Sequence, residues 1–329
     1  MNSQFQFQIL YALAASGGRD AELFGDSFPA ALEAFCKSVA GDYFPEIWFE
    51  VPLMGDPWFD LHALVSHGDV DPSAIPSLGV GEDVAAGLRW FAEQSEDARQ
   101  LALSWDTGSG NTETPAVQLL VFGEDPSVSP DFLNAVGRPD AADAYVALRD
   151  RLPDGWFACY SGTFPQRERP LLRVECIPTE NLQQAYAADE ELLGRHLRQL
   201  GFDAFGDTLL PRCRELADTP FQIEYQLDVT PDGIASPTLG VSLRFFANPD
   251  GPRRHPFDED GEAGKLMRRL EEWGLVDGRW HALARTAFAK KVKRGSDSSK
   301  LWCYPTFIKL RWRDGEPLDA KAYICGGVQ

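Results

Sequence analysis

Ten short segments of this chain alternate apolar and polar residues with a period of two, and they come in pairs. The pairs begin near residues 47, 101, 156, 221 and 303, each preceded by stretches of helical periodicity. A period of two sends successive side chains to opposite faces of a strand. One face is apolar throughout: Phe49 and Val51, Leu103 and Trp105, Val117, Leu119 and Val121, Leu172 and Val174, Ile223, Tyr225 and Leu227, Leu239, Val241 and Leu243. The other carries Glu50, Asp60 with His62, Ser104 with Asp106, Gln118, Arg173 with Glu175, Gln222, Glu224, Gln226 and Asp228, and Ser242 with Arg244. One face of each strand needs cover, and the other needs water or a polar partner.

The last pair states the pattern most sharply. Ile308, Leu310 and Trp312 share one side of its first strand, with Lys309, Arg311 and Arg313 on the other. Asp314-Gly315-Glu316-Pro317 turns the chain. Leu318, Ala320, Ala322 and Ile324 then oppose Asp319, Lys321 and Tyr323. Alone, this is an exposed hairpin with one solvated face. Five such hairpins separated by amphipathic helices leave fewer choices. The helix predicted over 81–98, with Val84, Leu88 and Phe91 on one stripe, hides that stripe only against a sheet. If the sheet closes on itself, its edges vanish and the polar faces point into a lumen.

The expected fold is therefore α+β: a ten-stranded antiparallel β-barrel of five α-β-β units over 45–325, surrounded by helices. It follows an N-terminal helical region, 1–44, within a single domain, 1–329. A ten-stranded lumen is too wide for side chains alone to fill. An open sheet with one solvated face, or two α+β sandwiches meeting near residue 200, also satisfies the pattern. Helices are predicted at 4–15, 27–40, 81–98, 129–136, 139–152, 180–199, 206–217, 262–273 and 277–293. The last would end in Lys290-Lys-Val-Lys-Arg294, where cations suit the helix dipole.

Composition narrows the function classes. A hydrophobic fraction of 44% over 329 residues suits a large packed core. A net charge of −19 argues against nucleic acid and against an anionic membrane surface. The N-terminus lacks a basic and apolar leader, and no run of eighteen apolar residues occurs, so a cytoplasmic protein is expected. The six cysteines form no C-x-x-C pair, and the five histidines show no metal-ligand spacing. Buried, reduced thiols are expected, without a structural zinc site.

Five α-β-β units with a polar-faced barrel inside a helix ring resemble the ABBA (PT-barrel) aromatic prenyltransferases. The resemblance covers about 45–325 and lies in the repeat more than in motifs. It implies transfer of an isoprenoid from a prenyl diphosphate co-substrate, such as dimethylallyl diphosphate, to an electron-rich acceptor: an aromatic small molecule or a peptide side chain. No tightly bound cofactor is implied. Ionisation of the diphosphate leaves an anion that needs cations and an allylic cation that needs aromatic faces and exclusion of water.

Indole-type members hold the diphosphate through Lys-x-Tyr and Arg-x-x pairs on alternate strands. Lys321-Ala322-Tyr323 matches that pair, Arg173-x-Glu175 and Arg244-x-Phe246 match in the cation alone, and Gln118-x-Leu120 lacks it. Lys309 and Arg311 add charge beside Lys321, and arginine suits bidentate contact with phosphate. Glu50 occupies the place of the family's acceptor-binding glutamate, which implies that it accepts a hydrogen bond from the acceptor and helps remove its proton. Asp60 and His62 stand across the hairpin as secondary candidates, with Glu224 among the further acids of the lumen. Trp48, Tyr160 and Phe246, with Trp58 and Trp156, are the aromatic faces available to shield the cation.

Two departures from the family pattern matter. The tyrosine shield is thin, and acids are many: Glu50, Asp60, Asp106, Glu175, Glu224 and Asp228. Arg173 with Glu175 and Arg244 with Asp228 could simply neutralise each other. Some acids could instead bind Mg²⁺ beside a diphosphate, or suit a cationic acceptor such as an arginine side chain. The alternative function is a non-catalytic barrel that binds a ligand or partner through the same polar face.

Overall fold

The computed structural model of the chain describes residues 10–11, 20–38, 46–66, 73, 75, 80–94, 99–107, 111–121, 127–164, 172–245, 260–294 and 297–328. The expected helix at 4–15, Phe246 and most of the loop 247–261 fall outside that set. Eleven antiparallel strands form one sheet: β1 (Glu46–Pro52), β2 (Asp60–Ser66), β3 (Arg99–Asp106), β4 (Asn111–Val121), β5 (Trp156–Thr163), β6 (Leu172–Pro178), β7 (Gln222–Val229), β8 (Ala235–Arg244), β9 (Phe288–Arg294), β10 (Asp297–Arg313) and β11 (Glu316–Val328). β1 to β8 pair in sequence order, β8 pairs with β10, β10 with β11, and β11 with β1. Ten strands therefore close into a barrel. β9 lies outside it, on the edge of β10.

Helices cover the outer surface. They are α1 (Asp20–Phe24), α2 (Phe28–Ser38), α3 (Glu82–Glu93), α4 (Val128–Ala135), α5 (Pro139–Arg149), α6 (Glu180–Ala188), α7 (Glu190–Gln199), α8 (Leu209–Ala217), α9 (Glu262–Glu272) and α10 (Leu283–Thr286), among the described residues. The continuous helix expected over 180–199 is two helices, because Asp189 turns extended and its side chain accepts from the Glu191 amide as a cap for α7.

The apolar strand faces lie under these helices. Phe24 and Phe28 pack edge-on against Phe49 and Phe59, with ring centroids 5.0 to 6.5 Å apart. Phe35 meets Trp105 in the same manner. Further round, Trp156 stacks on Tyr225 at 4.9 Å and donates its indole N–H to Tyr186 Oη at 2.6 Å. Each fully buried large aliphatic or phenyl side chain here contributes about 1.5–3 kcal/mol. Trp156 thus belongs to the helix–barrel interface, which corrects its expected place around the lumen.

One expected helix is absent. Over 277–293 the chain makes a short 3₁₀ turn (Gly278–Ala282) and α10, then runs extended as β9. One edge of its backbone is satisfied by the ladder from Phe288 opposite Cys303 to Arg294 opposite Asp297. Long-range pairing overrides the local helical reading. Lys290 and Lys291 are exposed on this outer strand, where lysine discourages further strands from adding.

β10 is long because it serves two partners on one edge. Its first half pairs with β9 and its second half with β8. The change falls near a register shift between Pro305 and Phe307. Proline has no amide hydrogen to give a ladder, so a bulge is where it fits. At the far end, Asp314 and Gly315 take φ values of 52° and 78°. Two successive left-handed residues make the tight turn that matches strand twist.

Candidate functional site

The polar strand faces converge on a cavity of about 280 Å³ inside the barrel, close to the lower bound for small-molecule sites. Trp48, Glu50, Asp60, His62, Tyr160, Arg173, Arg244, Lys309, Arg311, Lys321 and Tyr323 all line it. Glu224 is buried in the wall behind Arg244. Strand register explains the meeting. β11 sets Tyr323 opposite Glu50, and β2 sets Asp60 opposite Glu50 and His62 opposite Trp48.

Glu50 is the hub of one wall. Its Oε1 accepts a hydrogen bond from Lys321 Nζ, and its Oε2 accepts one from Tyr323 Oη. His62 Nε2 lies 3.2 Å from the same Oε2. Burial would raise this carboxyl, but Lys321, His62 and Lys309 outweigh it and hold Glu50 well below the usual carboxylate range. Burial and then Glu50 push Tyr323 far upward, so it remains a donor. His62 Nδ1 continues the chain to Ser104 Oγ at 2.5 Å, and Ser104 Oγ donates to Gln118 Oε1 at 3.1 Å. Four successive strands, β1 to β4, each supply one group of this line.

The opposite wall is built of ion pairs. Arg173 grips Asp228 through two bonds of 2.6 and 3.2 Å, and Arg244 grips Glu224 through bonds of 2.7 and 3.0 Å. Arg311 pairs with Asp319, its first bond being 2.7 Å. The pairings expected from sequence, Arg173 with Glu175 and Arg244 with Asp228, are not those formed. Arg173 and Glu175 sit two apart on one strand, whereas register sets Arg173 directly opposite Asp228. Glu175 accepts from Ser242 Oγ at 2.9 Å instead.

Lys309 differs from the other four cations. It is 7% exposed, and no carboxylate pairs with it among the described residues. Its ammonium lies 5.7 Å from the centroid of the Tyr323 ring. Burial, with Arg173 and Lys321 nearby, lowers it to about 8 against the partial support of Glu175 and Glu50. Gly240 makes room for its stem, since a Cβ there would stand 3.3 Å from Lys309 Cε and 3.0 Å from Gln226 Cβ.

Aromatic faces line the gap between the walls. Phe307 stacks on Tyr323 at 4.0 Å, and Trp48 tilts against Phe307 at 5.3 Å. Arg173 lies over Phe164 at 4.7 Å and Lys321 over Trp58 at 4.6 Å. Phe307 and Phe164 were not singled out from sequence. Phe307 could have been found, because it precedes Lys309 by two in the same alternation. Phe164 lies just past the end of β5, where periodicity says nothing. Among the described residues, no group of three His, Cys, Asp or Glu side chains is arranged to hold a metal ion, and no helix is long and apolar enough to cross a membrane.

No family model and no curated protein sequence matches the chain. Solved structures do. The apo form of the prenyltransferase PriB aligns with a TM-score of 0.52 at 15% identity, over 99% of this chain and 96% of the other. The 6-dimethylallyltryptophan synthase of Micromonospora olivasterospora, in complex with DMASPP and Trp, aligns at 0.51 and 13%, over 98% and 96%. A further 6-dimethylallyl tryptophan synthase aligns at 0.51 and 12%, over 96% and 95%. The resemblance inferred from the repeat holds at the level of fold: the chain has the closed ten-stranded barrel fold of these structures.

Proposed function

We propose that this PT barrel transfers a prenyl group from a prenyl diphosphate to an electron-rich acceptor held in its lumen. The observation that carries the reading is the meeting, in one cavity, of an ionised carboxylate and a buried ammonium without a carboxylate partner among the described residues: Glu50 and Lys309. Fold neighbours that are prenyltransferases, one of them in complex with DMASPP and Trp, support the same reading.

In this proposal the diphosphate lies against Lys309, Lys321 and Tyr323, with Arg173, Arg244 and Arg311 turning their outer N–H groups toward it. The carbon–oxygen bond of the allylic diphosphate breaks and its electron pair leaves with the diphosphate, whose charge those cations stabilise. Tyr323, Phe307, Trp48 and Tyr160 face the allylic cation, which aromatic rings stabilise without adding to it. The acceptor's π electrons form the new bond to carbon, and the attacked position then loses its proton. Glu50 accepts a hydrogen bond from the acceptor before this and takes the proton after it. Asp60 completes the acidic lining, Glu224 acts on the acceptor side through Arg244, which it holds from behind, and Phe246 is proposed as a further shield from beyond the described residues. The acceptor is an aromatic small molecule or a peptide side chain.

A binding barrel without turnover draws on one observation. Four of the five lumenal cations are already neutralised by carboxylates. The two readings separate in one experiment. Thermal unfolding is followed with dimethylallyl or geranyl diphosphate, and then products from a panel of indoles, phenols and short peptides are weighed by mass spectrometry. A shift in unfolding and an acceptor gaining one prenyl unit support transfer. If neither diphosphate shifts unfolding and no acceptor gains mass, prenyl transfer is wrong.

A further inference from the structure

The line of hydrogen bonds leaving Glu50 has a direction. Ser104 has one hydroxyl hydrogen and donates it to Gln118 Oε1, which is an acceptor only. Toward His62, Ser104 Oγ therefore acts as the acceptor, and the hydrogen on the neutral imidazole sits at Nδ1. That leaves Nε2 as the ring's lone-pair nitrogen, 3.2 Å from Glu50 Oε2. Between the carboxylate and the ring lies a place for one proton.

We propose that His62 acts through Glu50, taking on from that carboxylate the proton that the acceptor gives up. The inference rests on the prenyl-transfer reading and adds to it the fate of the proton. Glu50 must be a carboxylate again before the next acceptor can bind. Lys321 and Tyr323 already donate to its two oxygens, so a proton on Glu50 competes with two fixed donors. Passing it along the existing contact restores Glu50 with no side chain moved. The transfer balances: Glu50 Oε2–H breaks, Nε2–H forms, and the imidazolium's charge is met by the regenerated carboxylate. Ser104 keeps the ring in plane by accepting from Nδ1–H throughout. The charged and titratable groups that line the cavity with His62 from the neighbouring strands are Glu46 and Glu50 from β1, Asp60 on its own strand, Asp106 from β3, Tyr323 and Lys321 from β11 and Lys309 from β10. The Tyr323 ring stands 5.7 Å from the imidazole. His62 is thus a positioning residue, since its action reaches the acceptor only through Glu50.

The test compares the wild-type chain with His62→Gln and His62→Asn, using dimethylallyl diphosphate and an acceptor that the wild-type chain prenylates. Glutamine keeps a polar atom toward Glu50 without a titrating ring, and asparagine keeps one toward Ser104. Expected are unaltered diphosphate binding by calorimetry, a fall in kcat of about 10²-fold at saturating substrates, and loss of the acidic limb of the kcat–pH profile. Partial rescue of the variants by free imidazole is expected as well. Ser104→Ala should lower kcat less and keep the limb. If both His62 variants bind diphosphate normally and retain wild-type kcat with its pH limb, the relay is wrong while prenyl transfer stands. If the wild-type chain prenylates nothing, transfer and relay fall together.

Discussion

The two walls of the lumen use charge in opposite ways. On the β6–β8 side, each arginine is gripped by a carboxylate through two bonds, so the charges are already spent on one another. On the β1–β4 side, one carboxylate gathers Lys321, Tyr323 and His62, and the chain of partners ends in a neutral amide. The first arrangement stiffens a wall, because removing either partner strands a buried charge. The second leaves a carboxylate held by two donors and faced by a ring nitrogen that can take a proton, which is what a group that changes its proton requires. Lys309, between the walls, follows neither pattern.

Four experiments would break or sharpen this contrast. The largest effect is expected from Glu50→Gln, which keeps the shape and removes the base. Prenyl transfer should fall by about 10²- to 10⁴-fold in kcat with diphosphate affinity nearly unchanged, and steady-state kinetics beside calorimetry would reveal it. A variant of wild-type rate would leave Glu50 an ordinary lumenal acid. Next, Asp228→Asn should cost about 3 kcal/mol in stability, read from denaturant midpoints, by freeing Arg173 in a buried site. A neutral result would mean that the walls are alike.

Smaller is Lys309→Met, expected to weaken dimethylallyl diphosphate binding by about 10- to 100-fold, the loss of one charge-assisted contact. The smallest is a pH effect from the same residue. Lys309 titrates near 8 in the folded chain, against 10.5 ordinarily. Between those values the unfolded chain holds the proton that the folded chain has lost, so the contribution of Lys309 to stability rises with pH from about 8 to 10.5. Diphosphate affinity should move the other way and fall as pH passes 8. Both trends should vanish in Lys309→Met, which unfolding and calorimetry across that pH range can check.

Much of this was legible before the fold was seen, for a simple reason. Strand periodicity is rigid, so Glu50, His62, Gln118, Arg173, Lys309 and Lys321 had to share a face once their strands were recognised. Closure was legible as well, since ten half-polar strands have few other ways to hide their edges. What alternation does not contain is register, which alone decides that Arg173 meets Asp228 and not Glu175. Nor does it contain partners brought from far along the chain. Phe288–Arg294 has helix-tolerant residues and a run of lysines, and only the proximity of β10 makes it a strand. Trp156 was misplaced because the chain meets it at the first residue of its strand, where the facing is fixed by the stack on Tyr225.

The barrel is sealed by its first strand against its last. The hydrogen bond from Tyr323 to Glu50 spans 273 residues of chain, and that from Lys321 spans 271. During synthesis, then, β1 waits with a bare edge while all the strands between are made, and Glu50 lacks both Lys321 and Tyr323 until β11 emerges. Closing so distant a contact is slow, and an open edge of this kind invites the wrong strand. The helices that pack early on β1 and β2, with Phe24 and Phe28 over Phe49 and Phe59, would protect one face of the waiting strand but not its edge. The same joint that completes the lumen is therefore the step at which a newborn chain is most exposed to pairing with a neighbour.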